Sequence, residues 1–597
     1  MSKYDDLVRV LDTLCIEAPV ENKIYHSSTL EMREKARSLA YIHLFLMAKF
    51  GLLTFSEREM YITDGSADGG IDAYYIDKEH KKVYFIQSKF RSTDINFIEK
   101  TISYSDLLSM DIDRVTKGED VNGTGEPYND KIRDLIKNLQ SIDDLGRYTY
   151  VVVILANVIE RAKDKLERLI GAFPFEIYNH ERVYNEILFP VISGSFYDPK
   201  ELKIVLNINK ESSSHRIQYY PETEFGECTV NASFVPTIEI AKTLYKYKNA
   251  ILKYNPRSYL ELTRSSVNEK IASSIIDKQT NEFALFNNGI TMLSDETEYS
   301  DRVGRRNTAE LHLSNPQIIN GGQTAYTLSK IYEEALQGNN FEVFEGKEVL
   351  LKVISFNDSE VIHNEENRKK KLRLIEEISV ATNQQSPVLE ADRRANDKVQ
   401  IELQSKIFED LGLYYERKRG EFSNGISNGY IKREQLIDRE DFLRCCVALK
   451  NPVAARRESA GMLFQKSRFD TILSDMSNYK RWIFAYKIFR YLTNTYLTSN
   501  GIKYYAKYAI IYVSNLFYDD AWEIVDFDSN SEDVCMTIIG RWNDFEKYVM
   551  KSSENQKYYF KEQSREDATK QVDANWQGYY KGRTLQADLD AFFCSVN

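Results

Sequence analysis

The feature that most limits what this chain can fold into is a pair of short β-prone runs, Ile71 to Ile76 and Val83 to Ser88, that follow a helical run and carry polar residues at one end only. In the helical run, Ser28 and Glu31 have capping-box spacing, and Leu39, Ile42 and Leu46 keep helical periodicity up to Gly51. A four-residue turn at Lys78 to Lys81 would pair Asp77 with Lys82, Tyr74 with Phe85 and Asp72 with Gln87. Side chains alternate along a strand, so Asp72, Gln87 and Lys89 share a face with Tyr74, Ile76, Val83 and Phe85. The apolar end of that face suits packing on a helix. The polar end then lies at the rim of a core. A helical stretch from Phe97 to Leu108, a Gly/Asp/Asn-rich loop near Gly118 to Asn129 and a further helix lead to a buried strand at Tyr148 to Ala156. A helix at Arg161 to Ile170 and a strand at Pro174 to Tyr178 follow, which completes the order of a compact α/β unit.

The residue types at the polar end fit hydrolysis of a phosphodiester. A hard divalent cation takes oxygen ligands, so Asp72 can supply charge and Gln87 a neutral carbonyl to Mg²⁺, for which Mn²⁺ can substitute. Lys89 can orient the attacking water or balance the charge that builds in the transition state. One carboxylate is too little for Mg²⁺. The second acid is expected from the preceding helix, with Glu34 the choice, Glu31 reserved for capping and Glu57 the alternative.

This arrangement resembles the PD-(D/E)xK nuclease superfamily in its Mrr-like restriction branch, where an Asp in a G-x-D hairpin is followed by Gln-x-Lys. The resemblance implies a restriction-endonuclease-like core at residues 1–200, with Asp72, Gln87 and Lys89 as catalytic residues and Glu34 as the helix-borne acid. Asp72, Gln87 and Glu34 would then hold the metal.

Composition narrows the class further. The 597 residues are enough for two to four domains, and 42% hydrophobic with 28% charged content excludes a disordered chain. A net charge of −11 excludes wholesale basic coating of a polyanion, so nucleic-acid contacts must come from local patches. Six scattered cysteines without CxxC spacing argue against a zinc ribbon or a disulfide framework. Neither a signal peptide nor a membrane span is read, and the expected location is cytoplasmic. No Walker phosphate loop or repeat is present. From about Ala455 the sequence is aromatic-rich at helical spacing, including Trp482, Phe484, Tyr486, Phe489, Tyr504, Tyr508 and Trp542, which reads as helical core.

A central region, 201–450, carries Asn- and Gln-rich clusters: Asn255-Pro256-Arg257, Phe286 to Thr291, Asn315 to Thr324 and Ala381 to Gln385, with Arg417-Lys418-Arg419-Gly420 after two tyrosines. Such amides either close local backbone bonds or read a polar ligand. These clusters resemble the motifs of the AIPR family, named for abortive infection and phage resistance, over roughly residues 240–425. The resemblance implies bacterial defence against phage, with Arg257, Asn288, Asn320, Gln323, Asn383, Arg417 and Arg419 as candidates for binding nucleic acid or another ligand. Runs at Arg368 to Lys371 with Arg373, Arg305-Arg306 and Arg456-Arg457 could add phosphate contacts, although a solvated helix face is their default.

The expectation is therefore a multidomain α/β (α+β) protein with a nuclease core, a mixed AIPR-like region and a mostly helical region at 451–597. It would be a Mg²⁺-dependent endonuclease acting on DNA, phage DNA foremost. A homodimer would let two sites cut both strands, and a phage-derived trigger would gate a protein otherwise toxic to its host. The competing readings are a catalytically inactive nucleic-acid-binding or infection-sensor protein and an RNase acting on host RNA.

Overall fold

The computed structural model describes residues 2–103, 106, 110–159, 173–208, 216–223, 226–255, 266–356, 373–374, 377–378, 390–496, 504–563 and 571–594. The expected helix at 161–170, Arg257, Asn383 and the basic run 368–371 lie outside the described residues. The chain divides into two units, Met1–Asn383 with Arg419–Arg433, and Gln384–Lys418 with Glu434–Asn597. It is a mixed α/β protein whose second unit is mainly helical.

The first unit begins with helices α1 (Lys3–Ile16), α2 (Leu30–Phe50) and α3 (Phe55–Glu59), followed by strands β1 (Ala73–Asp77) and β2 (Lys82–Ser88). Helices α4 (Asp94–Glu99), α5 (Ile112–Thr116) and α6 (Asp130–Gln140) precede β3 (Thr149–Leu155) and β4 (Phe175–Ile177). These strands form a sheet of order β1-β2-β3-β4, antiparallel between β1 and β2 and parallel thereafter. The hairpin register is the expected one: Asp77 pairs with Lys82, Tyr74 with Phe85 and Ala73 with Ile86.

Each face of this sheet is covered for a reason visible in the residues. Asn129 caps α6 by accepting the N–H of Ile132 at 2.9 Å, and Ile132, Leu135, Ile136 and Leu139 present one apolar stripe. That stripe shares a core with Tyr74, Val83, Phe85, Val152 and Ile154. The opposite face receives α2, where Phe50 stacks on Tyr75 at 4.1 Å and lies 4.9 Å from Tyr84. A buried polar knot fastens α1, α2 and α3 beside it. Arg58, fully buried, donates to His43 Nδ1 at 3.2 Å and to the Leu53 carbonyl at 3.0 Å, and pairs with Glu17. Burial in this knot lowers the pKa of His43, which keeps the ring neutral.

Two local expectations need correction. The residue that caps α2 is Thr29 rather than Ser28, and its side chain makes no capping bond, so the Ser28–Glu31 capping box does not form. The helix expected from Phe97 starts earlier and ends at Glu99, because Ile102 N–H donates to the Asn157 carbonyl at 2.8 Å and Thr101 bridges Asn157. Asn157 fixes this exit further, its side-chain amide donating to the Phe97 and Ile98 carbonyls.

The rest of the first unit carries β5 (Glu201–Asn207), β6 (Ile217–Tyr219), β7 (Glu222–Thr223), β8 (Gly226–Pro236), α7 (Thr237–Tyr247), β9 (Ile290–Ser294), β10 (Thr297–Ser300), β11 (Thr308–Ser314), β12 (Gln317–Asn320), α8 (Gly322–Gly338) and β13 (Glu348–Phe356). They build a sheet of order β10-β11-β5 and a larger one of order β12-β9-β13-β8-β6, with β7 beside β8. Ile240 and Leu244 of α7 and Ala325 and Leu328 of α8 join the core under these sheets.

In the second unit the aromatic-rich sequence is core, as its spacing indicates. Trp482, Phe484, Tyr486, Phe489, Tyr508 and Trp542 are all buried in one cluster, whereas Tyr504 is exposed. Among the described residues no helix is long and apolar enough to cross a membrane.

Candidate functional site

The loop that enters β1 is built to hold carboxylates in place. Thr63 and Asp64 both donate their N–H groups to the Asp72 carbonyl, at 2.9 and 3.0 Å, and the Thr63 hydroxyl bonds the Ile71 carbonyl. Asp68 closes the turn between them, accepting Gly70 N–H at 2.9 Å on one oxygen and Gly65 N–H at 3.0 Å on the other. Gly69 and Gly70 both have positive φ, and a Cβ on Gly69 would meet the Tyr128 ring at 2.9 Å. Asn129 secures the loop from α6 by donating its amide to the Thr63 carbonyl at 3.1 Å.

The consequence is a group of three carboxylates, Asp64, Asp68 and Asp72, with one oxygen of each lying within 4.8 Å of the others. Asp72 N–H donates to the Ile86 carbonyl at 2.9 Å, which continues the β1–β2 register and sets Asp72 across from Gln87. One Asp72 oxygen accepts Ser88 N–H at 2.6 Å. Gln87 is 2% exposed, and its amide nitrogen donates to the Asp106 carbonyl at 2.7 Å. Its carbonyl oxygen is buried, with no hydrogen-bond partner among the described residues. Such an orphaned acceptor costs about 1–3 kcal/mol unless something satisfies it. Lys89 is 36% exposed, with its ammonium 3.8 Å from Asp106.

Electrostatics concentrate on Asp72. Burial pushes its pKa up to about 7, Asp64 and Asp68 add to the rise, and the Ser88 N–H and the Lys89 charge oppose it. Asp64 is also raised, first by desolvation and then by Asp68, while Lys35, Lys89 and Lys131 pull it down. Two mutually repelling acids beside a half-neutral third form a site that gains from a cation. Three carboxylates and one amide oxygen are a hard-oxygen donor set, so the residues present fit Mg²⁺ or Mn²⁺.

The hairpin thus brings together Asp72, Gln87 and Lys89. The additional acids are Asp64 and Asp68, which sequence reasoning passed over. Glu34 is exposed near the start of α2 and is not one of the three clustered carboxylates. Glu57 is committed to the start of α3, where it accepts the Thr54 N–H at 2.9 Å.

A second constellation lies where β12 runs into α8. Asn287 Nδ2 donates to the Thr324 hydroxyl at 2.9 Å while its Oδ1 accepts Gly289 N–H at 2.9 Å. Gln317 accepts Lys253 N–H at 2.9 Å and donates to the Ala250 carbonyl at 3.1 Å, and buried Asn255 donates to the Ile318 carbonyl at 3.4 Å. Gly321 has φ +82, and a Cβ there would lie 2.8 Å from the Gly289 carbonyl oxygen. The glycine and amide signatures are therefore one knot that clamps β9 against β12 and the start of α8.

The AIPR protein family profile matches residues 252–564, more than half of the chain. The chain belongs to the AIPR family. No curated protein and no solved structure gave a match. In this AIPR protein the family match extends well past Gly420, through much of the helical unit.

The binding candidates of the AIPR region divide by environment. Asn288 is exposed, and Asn320 and Gln323 are partly exposed around the Gly321 turn, with Asn320 accepting Gly321 N–H at 2.7 Å. Arg419 is exposed. Arg417 instead supports the second unit internally, donating to Gln404 Oε1 at 2.7 Å and to the Ala395 carbonyl at 3.1 Å. Asn287, absent from the sequence candidates, proves to be the residue of its motif that does the bridging.

A Gly321→Ala variant should unfold at least about 1–2 kcal/mol more easily, the cost of a left-handed backbone alone, with the Gly289 contact adding to it. Urea titration of the variant checks this. An unchanged midpoint would show that the turn tolerates a side chain.

Proposed function

We propose that this AIPR protein is a metal-dependent nuclease that hydrolyses DNA phosphodiester bonds in defence against phage. The observation that carries the reading is the buried Gln87 oxygen, without a partner among the described residues, across the hairpin from Asp72 and its two neighbouring carboxylates. The order Asp72, Gln87, Lys89 resembles the Mrr-like branch of the PD-(D/E)xK nucleases, and the family is named for abortive infection and phage resistance.

In this reading Asp72, the Gln87 carbonyl and the loop acids hold Mg²⁺ or Mn²⁺. A cation held there would supply Lewis acidity to the phosphodiester and would make its attacking water more acidic. Lys89, one position past β2 and open to solvent, orients the attacking water or balances the extra negative charge on the phosphoryl oxygens as the bond to the leaving sugar oxygen breaks. Asp68 keeps the loop in register through its two N–H bonds, so its part is positioning as well as charge. The chain's acidity would oppose DNA binding at low salt, which makes local basic residues such as Lys35 and Lys131, both near Asp64, the first candidates for steering the backbone.

The test is incubation of the purified full chain with supercoiled plasmid and with an RNA of similar length, in Mn²⁺, in Mg²⁺ and in EDTA. The reading expects metal-dependent nicking of the plasmid and much slower loss of the RNA. RNA cleavage with the plasmid intact would transfer the same site to a ribonuclease. Metal-independent cutting would remove it from the mechanism.

A further inference from the structure

We propose that the helical unit binds a phosphorylated small molecule of nucleotide size, in a cavity of about 520 Å³ between Arg439–Ala448, Lys466–Ile472 and the start of Tyr479–Tyr491. This site is independent of the metal centre. Its volume falls within the range of small-ligand pockets, roughly 300–1,000 Å³.

Three cations converge on the cavity, each with an unengaged donor. Arg468 uses Nε and Nη2 to grip Glu458 side-on at 3.0 and 2.9 Å, which leaves Nη1 unused. Arg481 holds Asp520 through Nη2 at 2.8 and 2.9 Å and Asn515 through Nη1 at 3.1 Å, which leaves Nε unused. The Lys450 ammonium has no ion-pair partner among the described residues, and the side chain is exposed. Glu458 and Asp520, with the Tyr518 ring 4.6 Å from the Arg481 guanidinium, fix the two planes, and each keeps one nitrogen that no described residue takes. Planar guanidinium groups with spare N–H bonds match phosphate oxygens, and a lysine adds a mobile point charge.

The remaining walls are partly apolar. Trp482, 4% exposed, and Ile472 supply apolar surface. The one acid of the lining, Asp475, is turned to local work: it accepts Ser477 N–H at 2.9 Å and an Asn478 amide at 3.1 Å. Glu458 and Asp520 offset two of the three cations, so the pull on an anion comes from their spare N–H groups and from Lys450, whose charge also acts on Asp475.

The experiment is calorimetric titration of the full chain, in EDTA so that the metal centre is silent, with ATP, AMP and inorganic phosphate as probes. The expected result is saturable nucleotide binding with Kd below about 1 mM, and phosphate at least about tenfold weaker. Lys450→Glu, at an exposed residue with no ion-pair partner, should weaken nucleotide about tenfold or more with the melting temperature unchanged. Thr471→Trp, at an exposed position of the lining, should fill the cavity and abolish binding. Absence of saturable nucleotide binding, affinity untouched by both variants, or phosphate bound as tightly as nucleotide would each overturn the proposal. So would displacement of ATP by a single-stranded oligonucleotide of equal affinity, which would assign the cavity to nucleic acid.

Discussion

Lys89→Ala should lower the metal-dependent nicking rate by at least about a hundredfold while leaving Mn²⁺ binding nearly intact, because the lysine acts on charge that develops during reaction rather than on the ion. Asp72→Ala should abolish both. Asp72 provides the central carboxylate, and its loss leaves the orphaned Gln87 oxygen facing only the loop acids. Lys89 lies at the open end of the hairpin, and Asp72, although its carboxylate is buried, lies outside the Tyr74–Phe85 core cluster, so the fold should persist. Circular dichroism of both variants confirms that control. Equal losses of metal binding in the two variants would place Lys89 in the structure of the site rather than in its chemistry.

The second large effect is a pH dependence of metal affinity set by Asp72. With its pKa pushed up to about 7, a proton competes with the cation over the physiological range. Mn²⁺ affinity should therefore fall by nearly tenfold for each pH unit below about 7 and level off above it. The stability of the metal-free protein should run the other way. A carboxyl with a raised folded-state pKa contributes stability that is fully present below its unfolded pKa, near 3.8, and is lost as pH rises toward 7. Adding Mn²⁺ above pH 7 should recover that loss as a rise in melting temperature. An Asp72→Asn variant should show neither slope, and retention of the slopes would assign them to another group.

Much of the hairpin was legible because one number determined it: with a four-residue turn, register and face follow from strand alternation. Asp72, Gln87 and Lys89 therefore fall on one face from the sequence alone. The loop acids were not legible in this way, because Asp64 and Asp68 sit in a Gly-rich stretch whose positive-φ turns have no periodicity to read. The available signal was the spacing of three aspartates four residues apart, ending just before the first strand. Glu34, the expected helix-borne acid, sits instead on the early turns of a helix whose later turns carry Phe50 onto the opposite sheet face. The aromatic helices were read as core from spacing alone, and they are.

The AIPR motifs show a different limit. Residue types announced turns and amide bonds, but which amide bridges which strand depends on contacts distant in sequence. Asn287 meets Thr324 across 37 residues, and Gln317 meets Ala250 across 67. Arg417 resembled a phosphate contact because tyrosines precede it, yet its guanidinium is spent on Gln404 and Ala395. Neither pairing is encoded locally.

The most direct measurement is a crystal structure of the full chain soaked in Mn²⁺, with anomalous scattering used to locate the ion. The account predicts one peak coordinated by Asp72, the Gln87 carbonyl oxygen and a carboxylate from Asp64 or Asp68, with Lys89 beside it. A Mn²⁺ ion bound elsewhere, or a Gln87 carbonyl that stays unliganded at saturating metal, would contradict it.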